Sequence, residues 1–241
     1  MRIPRLYVET ALSQGESIAL PQAPAHHLVR VLRARTGQAV VLFNGDGRDW
    51  PGTLVEAGRE GAVVEIGESV DPGTAPSLRI GLAQALAKGE KMDAVLRRAV
   101  ELGVTTIRPL ATTRCDVRLS GAREEKRMAH WQGIIVSACE QCGRAELPEL
   151  EPVAHLHELE APGALLALLP GAARPLSEAW NPSEGPVTVV VGPEGGLDDA
   201  EVAMLRERGA RSVGLGPRVL RTETAGPAVL AVLQALYGDW R

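Results

Sequence analysis

Residues 187–236 read VTVVVGPEGGLDDAEVAMLRERGARSVGLGPRVLRTETAGPAVLAVLQAL. The opening VTVVV is a continuous apolar, β-branched run, which is typical of a strand buried on both faces. It stops at the turn GPEGG (192–196), and the two aspartates that follow favour the first turn of a helix. A second short strand over 212–215 ends in another Gly-Pro turn. Ligands of open α/β sheets bind beyond the carboxyl ends of strands, so the two turns predict a ligand site.

A last helix is predicted after the second turn, with one apolar face made by Val229, Val232, Leu233 and Leu236. Thr222 or Thr224 is expected to cap its first turn, because a side-chain oxygen there accepts a backbone N–H bond. Arg218, Arg221 and Glu223 stand between turn and helix, and arginine suits phosphate or the polar edge of a base. The alternative interpretation is a tight turn that only joins strand and helix.

Upstream, strands and helices alternate from residue 78 onward. Apolar runs predict strands over 78–85, 105–110 and 165–169. Helical periodicity predicts helices over 88–102 and 124–142. This alternation predicts an α/β domain with a mainly parallel sheet covered on both faces.

The first 68 residues are instead rich in short strands, predicted over 39–43, 52–56 and 62–66. One helix is predicted over 24–35, with Leu28, Val31 and Leu32 on its apolar side and His26, Arg30 and Arg33 opposite. A small barrel that carries a basic helix would suit RNA contact, and a solvated helix is the alternative. The Pro/Gly/Ser-rich segment 69–77 is the predicted linker.

Composition places the chain among ordinary globular proteins. Its 241 residues are 45% hydrophobic and 23% charged, and the net charge of −4 argues against indiscriminate coating of nucleic acid. No apolar run is long enough to span a bilayer, and the first residues lack a secretory pattern. We therefore expect a cytoplasmic protein that makes no membrane contact.

Cys139 and Cys142 form a Cys-x-x-Cys, followed by His155 and His157. Zinc fingers space their histidines by three to five residues, whereas these two are one residue apart. We therefore expect buried or half-buried thiols and no metal site. The phosphate-binding and dinucleotide-binding glycine fingerprints and the Gly-x-Ser-x-Gly elbow are absent from the sequence.

The paired motifs GPEGG (192–196) and LGPRVLRTETA (215–225) resemble the RsmE family, the small-subunit ribosomal RNA methyltransferases that act on N3 of a uridine. Further similar segments are MRIPRLY (1–7), HHLVRVLR (26–33), AKGEKMD (87–93), ELGV (101–104) and EQCGR (140–144), so the resemblance covers nearly the whole chain.

The resemblance implies a PUA-like, RNA-binding β-barrel over 1–70 and a SPOUT-class α/β methyltransferase domain over 76–241. In that class a deep trefoil knot, here at about 165–236, binds S-adenosylmethionine, and the proteins are homodimers. The implied reaction methylates N3 of one specific uridine in 16S rRNA, with the assembled 30S subunit as the expected substrate. It requires no metal, because the cofactor already carries the reactive methyl group.

Carried onto this sequence, the resemblance implies a cofactor site at Leu168, Leu169, Gly192, Pro193, Glu194, Gly195, Gly196, Leu215, Gly216 and Leu220. From its position beside the cofactor loop, Arg218 or Arg221 is expected to stabilise the uracil oxygens, and Glu223 to orient them or act as base. RNA contacts are expected from Arg2, Arg5, His26, Arg30, Arg33, Lys88, Lys91 and Arg114.

The sequence departs from the family pattern at three places. Gly226-Pro227 replaces two ordinary helix formers, so the last helix is expected to start later than usual. Cys142 replaces a small residue such as serine, and Arg114 keeps its arginine with changed neighbours. Two other functions stay open: a non-catalytic RNA-binding or assembly module, and methylation of a different RNA position.

Overall fold

The computed structural model describes residues 3–58 and 61–240. The chain divides into two compact units. Unit 1 comprises the residues up to 75 together with 139–147, and unit 2 comprises 76–138 and the residues from 148 onward. The boundary at residues 75 and 76 falls inside the predicted linker.

Unit 1 is built on five strands: β1 (Arg5–Tyr7), β2 (Ser17–Ala19), β3 (Ala39–Phe43), β4 (Trp50–Ala57) and β5 (Ala62–Ile66). They form one sheet in the order β1-β3-β4-β5-β2, in which only the described pair β1–β3 is parallel. The predicted strands 39–43 and 62–66 are confirmed at both ends, and 52–56 is the middle of the longer β4. The core includes Leu6, Leu28, Val40, Leu42, Leu54 and Val64.

The helix of unit 1 is shorter than predicted and differently wound. α1 (Gln22–His26) continues directly into one π-helical turn, His27–Val31. The extra residue in a π turn rotates the following side chains around the helix axis. Leu28 is fully buried, but Val31 and Leu32, which were predicted to share its apolar side, are 59% and 45% exposed. That part of the prediction was wrong because the pattern was read with a regular helical period.

Unit 2 contains β6 (Ile80–Ala85), β7 (Thr106–Ala111), β8 (Glu149–Leu150), β9 (Ala154–His155), β10 (Ala164–Leu168), β11 (Val187–Val191) and β12 (Arg211–Val213). The sheet order is β12-β10-β11-β6-β7-β8, and β9 also pairs with β7. All described pairs are parallel, which confirms the predicted sheet type. β8 and β9 were not predicted, because two residues carry no periodicity.

Helices α2 (Lys91–Glu101), α3 (Gly121–Cys142), α4 (Asp199–Glu207) and α5 (Thr222–Tyr237) complete the regular structure. On one face of the sheet, Ala83 and Val190 pack in a cluster with Leu205 of α4. On the other face, α5 lies against β6, β11 and α2. The sheet is therefore covered on both faces, as predicted. Among the described helices, none combines the length and apolar character that crossing a bilayer requires.

The start of α5 corrects two expectations. Arg221 stands at the N-cap position, and neither predicted threonine caps the helix. The helix begins at Thr222, so Pro227 lies inside it. Proline has no N–H, which removes the helical partner of the Glu223 carbonyl oxygen. Arg98 of α2 donates to that oxygen at 3.3 Å, and this outside donor lets the helix begin early.

Candidate active site

Three parallel strands of unit 2 end at the same level of the sheet. Leu168 at the end of β10 is in register with Val191 of β11 and with Val213 of β12. The chain segments that leave these ends line one cavity of about 530 Å³. The position is the one at which open α/β sheets bind ligands.

The predicted catalytic and cofactor residues come together at this cavity. Arg218, Arg221 and Glu223 line it, and so do the ten residues predicted to bind the cofactor: Leu168, Leu169, Gly192, Pro193, Glu194, Gly195, Gly196, Leu215, Gly216 and Leu220. Lys91 and Thr222 line the same cavity. Sequence reasoning missed both in this role, because no local pattern shows that the start of α2 lies against the start of α5.

The loop after β11 is shaped by its glycines. A Cβ atom on Gly192 would lie 3.2 Å from the Leu197 backbone nitrogen, because the loop folds back on itself there. Gly196 has φ 70°, a left-handed conformation that L-residues adopt only at a cost. The backbone path of the loop therefore favours glycine at positions 192 and 196.

Arg114 holds this loop from outside. Its Nη1 donates to the carbonyl oxygens of Gly195 at 3.1 Å and Leu197 at 3.3 Å. Its Cβ also lies 3.1 Å from where a Cβ on Gly195 would stand. Arg114 was predicted to contact RNA; in the structure its Nη1 bonds to the loop, and the side chain is exposed.

Lys91 connects the loop to α5 by charge. Its Nζ lies 2.7 Å from Oε1 of Glu194 and 4.0 Å from Oε2 of Glu223. Partial burial raises the pKa of Glu194, but hydrogen bonds from Lys91 and from backbone groups outweigh it, so the net pKa lies below its usual value. Oε2 of Glu223 is buried and has no hydrogen-bond partner within the described chain. Lys91 was also predicted to contact RNA; in the structure its Nζ lies next to the carboxylates of Glu194 and Glu223.

The other residues predicted to contact RNA differ in solvent exposure and in whether they form ion pairs within the chain. His26, Arg30 and Arg33 are exposed on unit 1. Lys88 of unit 2 forms an ion pair of 2.7 Å with Asp116, and both side chains are well exposed.

Arg5 is occupied inside unit 1. It forms an ion pair with Asp49, donates to the Arg144 carbonyl oxygen at 3.2 Å, and lies 5.0 Å from the centroid of the Phe43 ring. Its side chain is 10% exposed, so it is poorly placed for a phosphate. Arg2 lies outside the described residues.

The cysteines are free thiols with no metal partner set. Cys115 and Cys139 are buried and Cys142 is half-buried. Burial raises the pKa of Cys139 to about 12, which opposes the thiolate that redox chemistry needs. His155 and His157 stack on each other with ring centroids 5.5 Å apart. Within residues 3–58 and 61–240, no cluster of His, Cys, Asp and Glu is suited to a metal ion.

Comparison with known proteins agrees along the whole chain. Residues 74–234 match the family described as RNA methyltransferase domain, and residues 20–67 match the RNA methyltransferase PUA domain. The ribosomal RNA small subunit methyltransferase E of Buchnera aphidicola is 30% identical over 99% of this chain and 98% of its own length. That of Mycobacterium bovis is 31% identical over 97% and 92%.

Two solved structures have nearly the same fold. The ribosomal RNA small subunit methyltransferase E of Neisseria gonorrhoeae, bound to S-adenosyl methionine, superposes with a TM-score of 0.93 at 36% identity and covers 100% of both chains. A Legionella pneumophila protein with bound SAM gives 0.95 at 36% identity, over 99% of this chain and 100% of that one. The α/β fold thus combines a PUA domain with a methyltransferase domain, and the chain belongs to the ribosomal RNA small subunit methyltransferase E family.

Proposed function

We propose that this chain transfers the methyl group of S-adenosylmethionine to N3 of one uridine in the 16S rRNA of the small ribosomal subunit. A single observation carries the proposal: both glycine-proline loops and the charged residues Arg218, Arg221 and Glu223 line one cavity. The names of the relatives support the class of RNA. The weakly acidic N3–H of uracil suits a site that combines a carboxylate with guanidinium groups.

S-adenosylmethionine fits the cavity in size and chemistry. About 530 Å³ lies within the usual range for small-ligand sites. The glycines of the 192–196 loop open its backbone to close approach by a ligand. The bound cofactor in the Neisseria and Legionella structures supports this assignment. When bound, the cofactor supplies a methyl group on a positively charged sulfur, which takes the electron pair of the carbon–sulfur bond as N3 attacks.

Glu223 is the residue that we assign to the N3 proton. Glu223 lines the cavity, and its Oε2 accepts no hydrogen bond in the described structure, so the carboxylate has the capacity to accept the uracil N–H. The Lys91 ammonium, 4.0 Å away, orients this carboxylate. As the proton passes to Glu223, negative charge spreads onto the uracil oxygens. Arg218 and Arg221 are exposed at the cavity and would hold that charge.

The RNA must present an unpaired or flipped uridine, because N3 lies on the pairing edge of the base. We assign phosphate contacts to His26, Arg30, Arg33 and Lys88, whose side chains are exposed. Such contacts position RNA and carry little sequence information. With a net charge of −4, recognition of the assembled 30S particle by shape accounts for specificity better than recognition of free RNA.

We also propose that unit 2 is a SPOUT-class domain whose C-terminal part forms a deep trefoil knot at about 165–236. α5 packs against the turn Leu176–Glu178 as well as against β6 and β11, and Gly214 pairs with Pro175. The segment after β12 therefore runs beside the segment after β10. A crystal structure in which residues 214–221 pass outside the 169–186 loop would contradict the knot.

We further propose that the protein is a cytoplasmic homodimer, as its family resemblance implies. Light scattering on the purified full chain should give twice the monomer mass of 25.6 kDa at micromolar concentration. A monomer mass across that range would contradict the dimer.

The decisive experiment incubates the full chain with radiolabelled S-adenosylmethionine and 30S subunits and then maps the modified nucleotide. Label at N3 of a single 16S uridine is expected. Glu223→Gln should lower the methylation rate about a hundredfold or more with little change in cofactor affinity, whereas the exposed Glu207→Gln should leave the rate unchanged. Label elsewhere would favour an enzyme that methylates a different RNA position, and RNA binding without transfer would favour a non-catalytic RNA-binding or assembly module.

A second experiment tests the RNA surface of unit 1. Arg30→Ala together with Arg33→Ala should weaken binding to 30S subunits and reduce the slope of log affinity against log salt by about one to two. Arg33 has φ 54°, and alanine there keeps the same backbone strain, so the substitution adds no new backbone cost. Arg206→Ala, an exposed arginine on α4, is the matched control. An unaltered slope in the double variant would remove unit 1 from the RNA interface.

A further inference from the structure

One buried amide in unit 2 stands out from its surroundings. Gln84 lies on β6 between Ala83 and Ala85, and all three are fully buried. Apolar residues are the usual occupants of such a strand. A buried amide is costly unless its groups are hydrogen-bonded, so the bonds of Gln84 identify what it holds.

Gln84 reaches the cofactor loop through one intermediate. Its Nε2 donates to Oγ1 of Thr222 at 2.9 Å and to the Ala85 carbonyl oxygen at 3.1 Å. The Thr222 hydroxyl in turn donates to the Gly192 carbonyl oxygen at 2.8 Å. A hydroxyl accepts and donates at once, so Thr222 links the end of β6 and the first turn of α5 to the loop after β11.

The link leaves one polar atom unsatisfied. Oε1 of Gln84 is buried and has no hydrogen-bond partner among the described residues. A Cβ on Gly226 of α5 would lie 3.0 Å from that oxygen and 3.5 Å from the Leu82 side chain. Glycine at 226 therefore lets α5 approach β6 closely enough for Thr222 to meet Gln84. Sites that break a local packing rule in this way are often functional.

We propose that Gln84 and Thr222 are positioning residues that fix the Gly192 carbonyl and thereby set the shape of the 192–196 loop for S-adenosylmethionine. This inference rests on the proposed function. Gln84 does not line the cavity, so it acts only through Thr222, whereas Thr222 both lines the cavity and holds the loop. The hydrogen bond from Thr222 fixes the orientation of the Gly192 carbonyl group. The glycines that follow in the loop are thereby held in position to contact the ligand.

The test uses isosteric variants of the full chain. Gln84→Met removes the donor and the unsatisfied oxygen together. Thr222→Val removes the hydroxyl at nearly constant volume, and Thr222→Ser restores it. Thr224→Val is the matched control, because Thr224 is exposed in the same turn of α5. For each variant, the dissociation constant for S-adenosylmethionine is measured by calorimetry at 25 °C, and Tm is measured separately.

We expect Gln84→Met and Thr222→Val each to weaken cofactor binding by about five- to a hundredfold, the span that corresponds to one lost buried hydrogen bond. Thr222→Ser should bind within about twofold of wild type, and Thr224→Val should be unchanged. The double variant should bind no worse than Thr222→Val, because both changes act on one carbonyl group. Gln84→Met should change Tm little, since it removes an unsatisfied buried oxygen together with the two hydrogen bonds that Nε2 donates.

That divergence between Tm and affinity separates positioning from a purely structural role. A structural role would lower Tm and leave the dissociation constant of the folded protein unchanged, and this outcome would overturn the inference. Wild-type affinity in Gln84→Met would do the same, even if Thr222→Val failed to fold. A wild-type chain that bound no S-adenosylmethionine would instead overturn the proposed function. The positioning role of Gln84 and Thr222 would then fall as well, because it is defined by that ligand.

Discussion

Gly196→Ala is expected to weaken S-adenosylmethionine binding by an amount set by backbone strain alone. Gly196 has φ 70°, and no atom lies within 4 Å of where its Cβ would stand, so alanine meets no steric clash. The left-handed conformation costs an L-residue about 1–2 kcal/mol. The loop can escape this cost by changing shape, and the ligand must then restore the original shape. Affinity should therefore fall by about five- to thirtyfold.

Gly209→Ala provides a matched control for the same strain. Gly209 has φ 82°, is equally unobstructed, and follows α4 away from the cavity. For a chain of this length, about 1–2 kcal/mol corresponds to a drop in Tm of about 2–8 °C. Gly209→Ala should lose Tm in thermal unfolding and keep its affinity in calorimetry. Gly196→Ala should lose affinity and little Tm, because its loop relaxes in the ligand-free protein. If both bind the cofactor as tightly as wild type, the 192–196 loop is not a wall of its site.

Three further predictions concern α5 and the thiols. Arg98→Ala should cost about 0.5–1.5 kcal/mol of unfolding free energy in urea, and much less in a Pro227→Ala background, where alanine restores the helical N–H; additive effects within about 0.5 kcal/mol would refute the compensation. Iodoacetamide at pH 8 should label Cys142 before Cys139, read by peptide mass spectrometry, because burial raises the pKa of Cys139 to about 12. The folded pKa of Cys139 exceeds the unfolded value of about 8.5, so its contribution to stability is complete below pH ~8.5 and is lost as pH rises toward 12. Cys139→Ala should therefore flatten the alkaline fall in Tm, and an unchanged slope would contradict this.

Local sequence patterns predicted the regular parts of the fold well. The strand Val187–Val191 is confirmed at both ends, because a β-branched run between turn residues has one interpretation. α2 buries Met92, Val95 and Leu96, as its helical period predicted. A helix with Asp198 and Asp199 in its first turn was also predicted; α4 begins at Asp199, and Asp198 stands one position earlier as the N-cap, where its side chain accepts the Glu201 N–H at 2.7 Å.

The errors arose where a distant partner changes a local rule. Pro227 was expected to delay α5, but the donor that satisfies the freed carbonyl oxygen comes from Arg98 on another helix. The π turn of unit 1 exposes Val31 and Leu32 against their helical pattern. Arg5 was predicted to be available for RNA, but its side chain is largely buried and forms an ion pair with Asp49.

For the candidate site, the paired loop motifs predicted where the cavity lies. The hydrogen bonds and ion pairs around the cavity could not be predicted from the sequence. Lys91 and Thr222 entered the site through contacts with residues far away in the chain. Gln84 and Thr222 are separated by 138 positions, and no periodicity joins them.

The sheet order has a consequence for how the protein is made. β6 is an early strand of unit 2, yet its neighbour on one side is β11, from late in the chain. Pairings between such distant segments form slowly, because a long loop must close first. α5 is later still, and it brings Thr222 to the Gly192 carbonyl. A nascent chain therefore cannot assemble this pocket until α5 has emerged, so an enzyme that methylates ribosomal RNA stays inactive until residues 222–237 have been made and can fold.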